Sequence, residues 1–252
     1  MQWKAVPTTE KPPVPREHGA WGILLVPFAT AVGVAGVWNL PVALLLASVL
    51  CFYLARASWL KRQWRWLALL LAASVAAAAP LLLIWHRGGL LVFAAVAGLL
   101  AGRPTGRTVA SQLLGVAGLT LTAPAAWYVA TGELAWRLWL LNGIYFAGGV
   151  FYVRMHLQAA IHRLELTDWA ARFACGRANL LYHAGAAVAV LGMAAAGIIA
   201  WPVPLAFAPM VARALAGTMR LSPTLRIKRL GWTEVAYSIG FAIVLVGAFR
   251  FG

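Results

Sequence analysis

Arginine and histidine carry most of the candidate chemistry in this sequence. Arg56 ends the run Cys51-Phe52-Tyr53-Leu54-Ala55-Arg56, and Arg154 and His156 end Phe151-Tyr152-Val153-Arg154-Met155-His156. Both runs leave an apolar stretch through Phe-Tyr-aliphatic-Arg or close to it, a short likeness that hints at an internal repeat. A guanidinium offers a rigid fork of donors and stays charged at a membrane surface, so these residues suit a phosphate or carboxylate. The competing reading is snorkelling to lipid headgroups. Asn179 and His183 share a helix face by i,i+4 spacing and either line a cavity or hydrogen-bond to a neighbouring helix. Arg213 lies inside an apolar stretch, where charge is costly and usually functional. Glu234 opens the next stretch, and a structural ion pair between Arg213 and Glu234 is expected. His18, entering the first stretch, could join either set.

Other chemistries fit poorly. The chain has six acids, Glu10, Glu17, Glu133, Glu165, Asp168 and Glu234. A Mg²⁺–diphosphate site needs clustered carboxylates, and only Glu165 and Asp168 are close together. A solvated pairing of those two with Arg163 or Arg172 accounts for them better. His156 and His162 are wrongly spaced to chelate one ion on a helix. Haem would need two histidines at matched depth, for instance His183 with His18 or His156. The run Gly102-Arg103-Pro104-Thr105-Gly106-Arg107 lacks the lysine and the spacing of a phosphate loop. No metal or cofactor is therefore expected. Cys51 and Cys175 form no CxxC pair and read as free thiols.

The elements that position these residues are apolar blocks. Hydrophobic residues make up 63% of the chain and charged residues 11%, against about 25% charged in soluble domains. Blocks such as Ala68–Ile84 and Ala184–Trp201 carry no charge. A bilayer core of about 30 Å needs about 20 apolar residues in a helix, and barrel strands would alternate. The expectation is an all-α, polytopic transmembrane bundle of about nine spans, at 20–38, 41–56, 66–85, 89–102, 111–130, 137–153, 178–200, 203–219 and 232–249. The breaks hold turn residues, among them Asn39, Gly88-Gly89 and Thr131-Gly132. Residues 1–15, polar and proline-rich, read as a flexible cytoplasmic tail rather than a cleaved leader, with 16–252 as one transmembrane domain.

Basic residues set the orientation. With the N-terminus inside, only Arg87, Arg137 and Arg250 fall outside, which leaves 18 of the 21 Lys and Arg on the cytoplasmic side. That side then holds Lys4, Lys11, Arg16, Arg103, Arg107, Arg163 and Arg226 along with the residues above. If the short fourth segment failed to cross, the split would fall to about 9 against 12, so the rule selects nine spans with the C-terminus outside. The net charge of +15 then faces anionic lipid and calls for no nucleic acid.

Pro15-Arg16-Glu17-His18-Gly19-Ala20-Trp21, with Leu24-Leu25-Val26-Pro27, resembles the opening of the YwiC-like family of bacterial membrane proteins. Tyr152-Val153-Arg154, Arg213-Ala214 and Gly231-Trp232-Thr233-Glu234 are similar to the same family. The resemblance implies a bacterial cytoplasmic-membrane protein and brings no reaction with it. In architecture the chain also resembles, loosely, the UbiA superfamily of prenyltransferases, which bind Mg²⁺ and a prenyl diphosphate through aspartate-rich loops after spans 2 and 6. Here those positions are basic, so the likeness implies the bundle without the Mg²⁺-dependent prenyl transfer.

Three functions follow. The first is binding of an amphipathic anion, such as an isoprenoid, quinone or lipid phosphate, in a cytoplasm-facing basic cavity ringed by Arg56, Arg154, His156, Asn179, His183 and Arg213, with His18. The second is a non-catalytic subunit or assembly factor of a membrane-protein complex. The third is a small-anion transporter, for which Pro27, Pro80, Pro124 and Pro209 supply candidate helix interruptions.

Overall fold

The computed structural model describes residues 14–15, 18–101, 108–161, 168–224 and 227–252. Most of the 1–15 tail, with Lys4, Glu10 and Lys11, lies outside the described residues. So do Arg16, Glu17, Arg103, Arg107, His162, Arg163, Glu165 and Arg226, and the side chain of His18.

The described chain is helical, with no strand among the described residues. Its helices are α1 (His18–Ala35), α2 (Leu40–Leu60), α3 (Trp64–Leu83), α4 (Leu90–Ala101) and α5 (Val109–Leu119). They continue as α6 (Thr122–Thr131), α7 (Trp136–Ile161), α8 (Trp169–Ala195), a 3₁₀ turn at Val203–Phe207, α9 (Ala208–Met219) and α10 (Ile227–Phe251). Five stretches are long and apolar enough to cross a membrane: Leu40–Leu60, Trp64–Leu83, Val109–Thr131, Trp169–Ala195 and Lys228–Phe251. Shorter apolar helices occupy Gly19–Ala35, Leu90–Leu100 and Val203–Met219. The described residues are thus all-α, with several helices long and apolar enough to cross a membrane.

The helices depart from the apolar blocks at their ends. α2 continues through Arg56 to Leu60, and α7 continues through Arg154 and His156 to Ile161. The expected loop after the second block shrinks to Lys61-Arg62-Gln63, with Arg62 at φ 55°. Apolar counting stops where hydrocarbon stops, whereas a helix keeps its backbone bonds well into the polar zone. The fifth block is two helices because Pro124 has no N–H to give the Thr120 carbonyl. Ala123 N takes that carbonyl at 3.0 Å instead, and the Thr122 hydroxyl crosses to the Leu24 carbonyl of α1 at 2.9 Å. Some helix starts are capped by side chains: Asn39 Oδ1 accepts from Val42 N at 3.1 Å, and Asp168 Oδ1 accepts from Ala171 N at 2.8 Å. Asp168 therefore serves as the N-cap of α8.

Connections gather at two ends. The Arg87 guanidinium packs against Gly132 and lies 5.5 Å over the Tyr128 ring, Arg250 packs against Gly36, and Pro202 packs against Gly252. At the opposite end Arg172 donates to the Met219 carbonyl at 2.9 Å, and Trp21 meets Tyr53 edge-on at 5.1 Å. α4 runs antiparallel to the α5–α6 pair, with Gly89 N donating to the Tyr128 hydroxyl at 3.3 Å and Leu100 beside Gly118.

Polar side chains inside the bundle find one another. The Ser48 hydroxyl of α2 donates to the Ser74 carbonyl, and the Ser74 hydroxyl of α3 to the Ser48 carbonyl, both at 2.9 Å. Asn142 of α7 donates to Thr30 Oγ1 of α1 at 3.1 Å and to the Leu138 carbonyl at 2.8 Å. Glycines set the tightest approaches. A Cβ at Gly217 would lie 2.5 Å from the Tyr152 ring, and one at Gly176 would lie 2.5 Å from Thr218 Cγ2. Gly217→Ala is expected to cost about 1–3 kcal/mol through overpacking. Gly185→Ala, which meets nothing within 4 Å, should leave stability unchanged or slightly raised. Thermal unfolding of the two variants in detergent checks this contrast.

Candidate functional site

The candidate residues fall into two separate places. In the first, α9 and α10 bring Arg213 and Glu234 into an ion pair with side chains 5% and 19% exposed. Glu234 stands seven residues along α10 from Ile227, roughly 10 Å from its start at 1.5 Å per residue. The guanidinium carbon lies 4.4 Å from the Tyr152 ring centroid and 4.9 Å from that of Tyr237. Arg213 is thus neutralised by a carboxylate and faced by two π systems, each interaction worth about 2 kcal/mol when desolvated. The Tyr152 ring extends the contact to the His156 ring at 4.7 Å.

One turn away, Asn179 Nδ2 donates to the Ala214 carbonyl at 3.4 Å and to Thr218 Oγ1 at 3.3 Å. The Thr218 hydroxyl in turn donates to the Ala214 carbonyl at 2.9 Å. Nδ1 of His183 lies 2.7 Å from the Asn179 carbonyl. These contacts fasten α8 to α9. Of the expected set, Asn179, His183 and Arg213 are therefore brought together, with His156 at the edge through Tyr152. They are packed into a helix interface rather than arranged around an open basin. Tyr152, Tyr237, Thr218 and the Gly148-Gly149 pair belong to this place too, and carry no charge that would single them out in the sequence.

The second place is a cavity of about 1030 Å³ walled by α1 to α6. Leu45, Val49, Leu82, Phe93, Ala97 and Leu114 give its apolar character. Among the described residues lining it, Arg56 alone carries a charge, and the hydroxyls are Ser48, Ser74, Tyr53, Thr108, Ser111 and Thr122. Several of these hydroxyls are already engaged inside the fold, Ser48 with Ser74, Ser111 with the Thr108 carbonyl and Thr122 with Leu24. Among the described residues the lining is therefore mainly apolar: Arg56 of the expected ring lines the cavity, and Arg154, His156, Asn179, His183 and Arg213 do not. The reason is topological: Arg213, Asn179 and His183 lie on α8 and α9, whereas the cavity belongs to α1–α6. Arg154, two residues beyond Tyr152 on α7, projects from another face of that helix than the ring over Arg213.

Residues 14–128 match the family model described as YwiC-like protein. The matched stretch runs from the entry segment into α6 and so holds every residue lining the cavity, whereas the Arg213–Glu234 pair lies beyond it. No curated protein and no solved structure matches the chain.

Removing one partner of the ion pair leaves a buried charge uncompensated, at about 3–5 kcal/mol. Arg213→Met is expected to lose that much stability, and the double change Arg213→Met with Glu234→Leu should regain most of it. Unfolding midpoints of the two single variants, the double variant and the parent form the cycle that measures the coupling. Additive losses would mean that the pair does not hold α9 to α10.

Proposed function

From a chain that carries a YwiC-like segment over the cavity-forming helices, we propose a membrane protein that holds one long-chain lipid, with a polyisoprenoid or acyl tail among α2–α5 and an anionic head at Arg56. The single observation that carries this reading is the cavity's make-up. It is slightly larger than the roughly 300–1,000 Å³ typical of small-ligand sites, predominantly apolar, and furnished among the described residues with one cation. A preformed apolar space in a bilayer suits a hydrocarbon chain, which leaves lipid for it at little cost. The guanidinium supplies the bidentate anion contact that fixes the head. Arg56 stands near the C-terminal end of α2, and Thr108 and Ser111 stand at the start of α5. Arg56, Thr108 and Ser111 thus mark one end of the cavity, while Ser48, Ser74 and Thr122 stand farther along its wall.

Nine crossings in the bacterial cytoplasmic membrane, N-terminus inside and C-terminus outside, form part of the same proposal. The helices alternate between two ends, and Arg87 and Arg250 gather at the end assigned to the outside. The architecture likened to UbiA remains part of this reading, as a lipid-holding bundle without carboxylate clusters. The head then binds directly to protein donors.

Two experiments test the reading. Native mass spectrometry of the purified protein should show one retained lipid of long-chain type. Arg56→Gln should lower retention of anionic-headed lipid about tenfold or more while sparing neutral lipid, and Ala97→Trp should displace both. Retention unaffected by either change would refute the cavity site. For orientation, a cysteine at Glu133 in a background without Cys51 and Cys175 should react with an impermeant maleimide on intact cells. A cysteine at Lys61 should react only after permeabilisation, and the reverse pattern would invert the topology.

A further inference from the structure

The α7–α9 interface buries polar atoms that the fold leaves unsatisfied. Asn179 Oδ1, His183 Nε2 and Arg213 Nε are buried without a hydrogen-bond partner among the described residues. Their residues are 1%, 2% and 6% exposed. Native interiors keep few such atoms, because each one costs about 1–3 kcal/mol. Their chemical roles follow from their neighbours. The Asn179 carbonyl can only accept, so His183 Nδ1, 2.7 Å away, carries the hydrogen and Nε2 presents a bare lone pair. The Asn179 amide nitrogen is committed to α9, so Oδ1 is a second acceptor. Arg213 Nε–H is a donor. Two acceptors and one donor are what a single water satisfies, and buried waters make about three hydrogen bonds.

Glycine exposes the lone pair. A Cβ at Gly148 would stand 3.1 Å from His183 Nε2 and 3.0 Å from Met210 Sδ, and one at Gly149 would stand 3.4 Å from Glu234 Oε2. Nearer the polar end of α7, His156 Nε2 is likewise buried without a partner. Its ring adjoins Tyr152, over which Arg213 lies. From His156 to Gly148 is eight residues of helix, roughly 12 Å, with the Tyr152 ring and the Arg213 guanidinium over it between them.

We propose that this seam is a hydrated proton path ending at His183. One water accepts from Arg213 Nε and donates to His183 Nε2 and Asn179 Oδ1. An excess proton reaching that water passes to the Nε2 lone pair. The product is an imidazolium whose Nδ1–H still donates to the Asn179 carbonyl, and the reverse step restores the neutral ring. The ionisable groups facing the seam are Tyr145, Tyr152 and His156 on α7, Tyr182 on α8, Arg213 on α9, and Glu234 and Tyr237 on α10. Arg213 opposes the new positive charge and Glu234 offsets that opposition, so the pair sets how readily His183 accepts. Histidines inside membrane helices recur in proton relays. The seam is separate from the lipid cavity, and either can stand without the other.

Two measurements on the full chain in lipid nanodiscs test the proposal. In radiolytic hydroxyl-radical labelling read by mass spectrometry, bound water oxidises the side chains beside it even where bulk solvent is excluded. After correction for intrinsic reactivity, Met210 and His183 should label at least tenfold above Phe28, which is as buried in the apolar core around α1. Gly148→Ala should cut that labelling severalfold without changing Tyr128. In ¹⁵N-histidine magnetic resonance, the signals lost in His183→Gln should show a hydrogen on Nδ1 at high pH and on both nitrogens as pH falls. Labelling of Met210 and His183 no higher than Phe28 in the unaltered protein would overturn the water site. An Nε2 that stays unprotonated down to the pH of unfolding would overturn the proton acceptor.

Discussion

In hydrocarbon a polar group has no water to turn to, and this constraint shapes every internal feature of the bundle. Backbone groups meet it by forming helices. Side chains meet it by pairing across helices: Ser48 with Ser74, Thr30 with Asn142, Thr122 with the Leu24 carbonyl, and Asn179 with Thr218. The Arg213–Glu234 pair is its most demanding instance, since two full charges lie among apolar helices. Burial of such a pair is weak evidence for added stability, because desolvation offsets much of the Coulomb attraction. What the pair supplies is register. α9 can sit against α10 in only one way without leaving a charge stranded, and the Tyr152 ring over the guanidinium holds α7 to the same setting.

The two halves of the chain respond to the constraint differently. α7–α10 meet at Gly148, Gly176 and Gly217, where the missing side chains let helices approach around their polar groups. α1–α6 carry hydroxyls but no buried ion pair among the described residues, and enclose a large, mainly apolar space. Buried charge and the apolar cavity thus fall on separate helix sets, and the YwiC-like match covers the set around the cavity.

Much of this organisation is legible in the residues. Apolar blocks broken by Asn39, Gly88-Gly89 and Gly132 give the helix order, and Arg213, Glu234, Asn179 and His183 draw attention as polar groups in or beside apolar runs. The ends of α2 and α7 are not legible from hydropathy, because charged residues continue a helix beyond the hydrocarbon. Pro124 marks an interruption, but only the transfer of the Thr120 carbonyl to Ala123 shows that the helix breaks in two. Arg56 was legible as a residue of a cavity, but the cavity's apolar wall was not. Leucine and alanine facing a cavity have the same composition as leucine and alanine facing lipid. Single hydroxyls at Ser48 and Ser74, and one amide at Asn142, were the available signals for the interhelical bonds. Tyr152 and Tyr237 gave no signal of their role, since an aromatic ring over a buried cation reads as ordinary apolar sequence.

The most direct measurement of the central claim is an experimental density map of the protein in a lipid nanodisc. The account predicts elongated density between the α2–α3 hairpin and the α4–α5 pair, beginning at the Arg56 guanidinium and continuing past Ser74 towards Leu82. Helices α3 and α4 packed directly against each other, with the cavity closed, would contradict it.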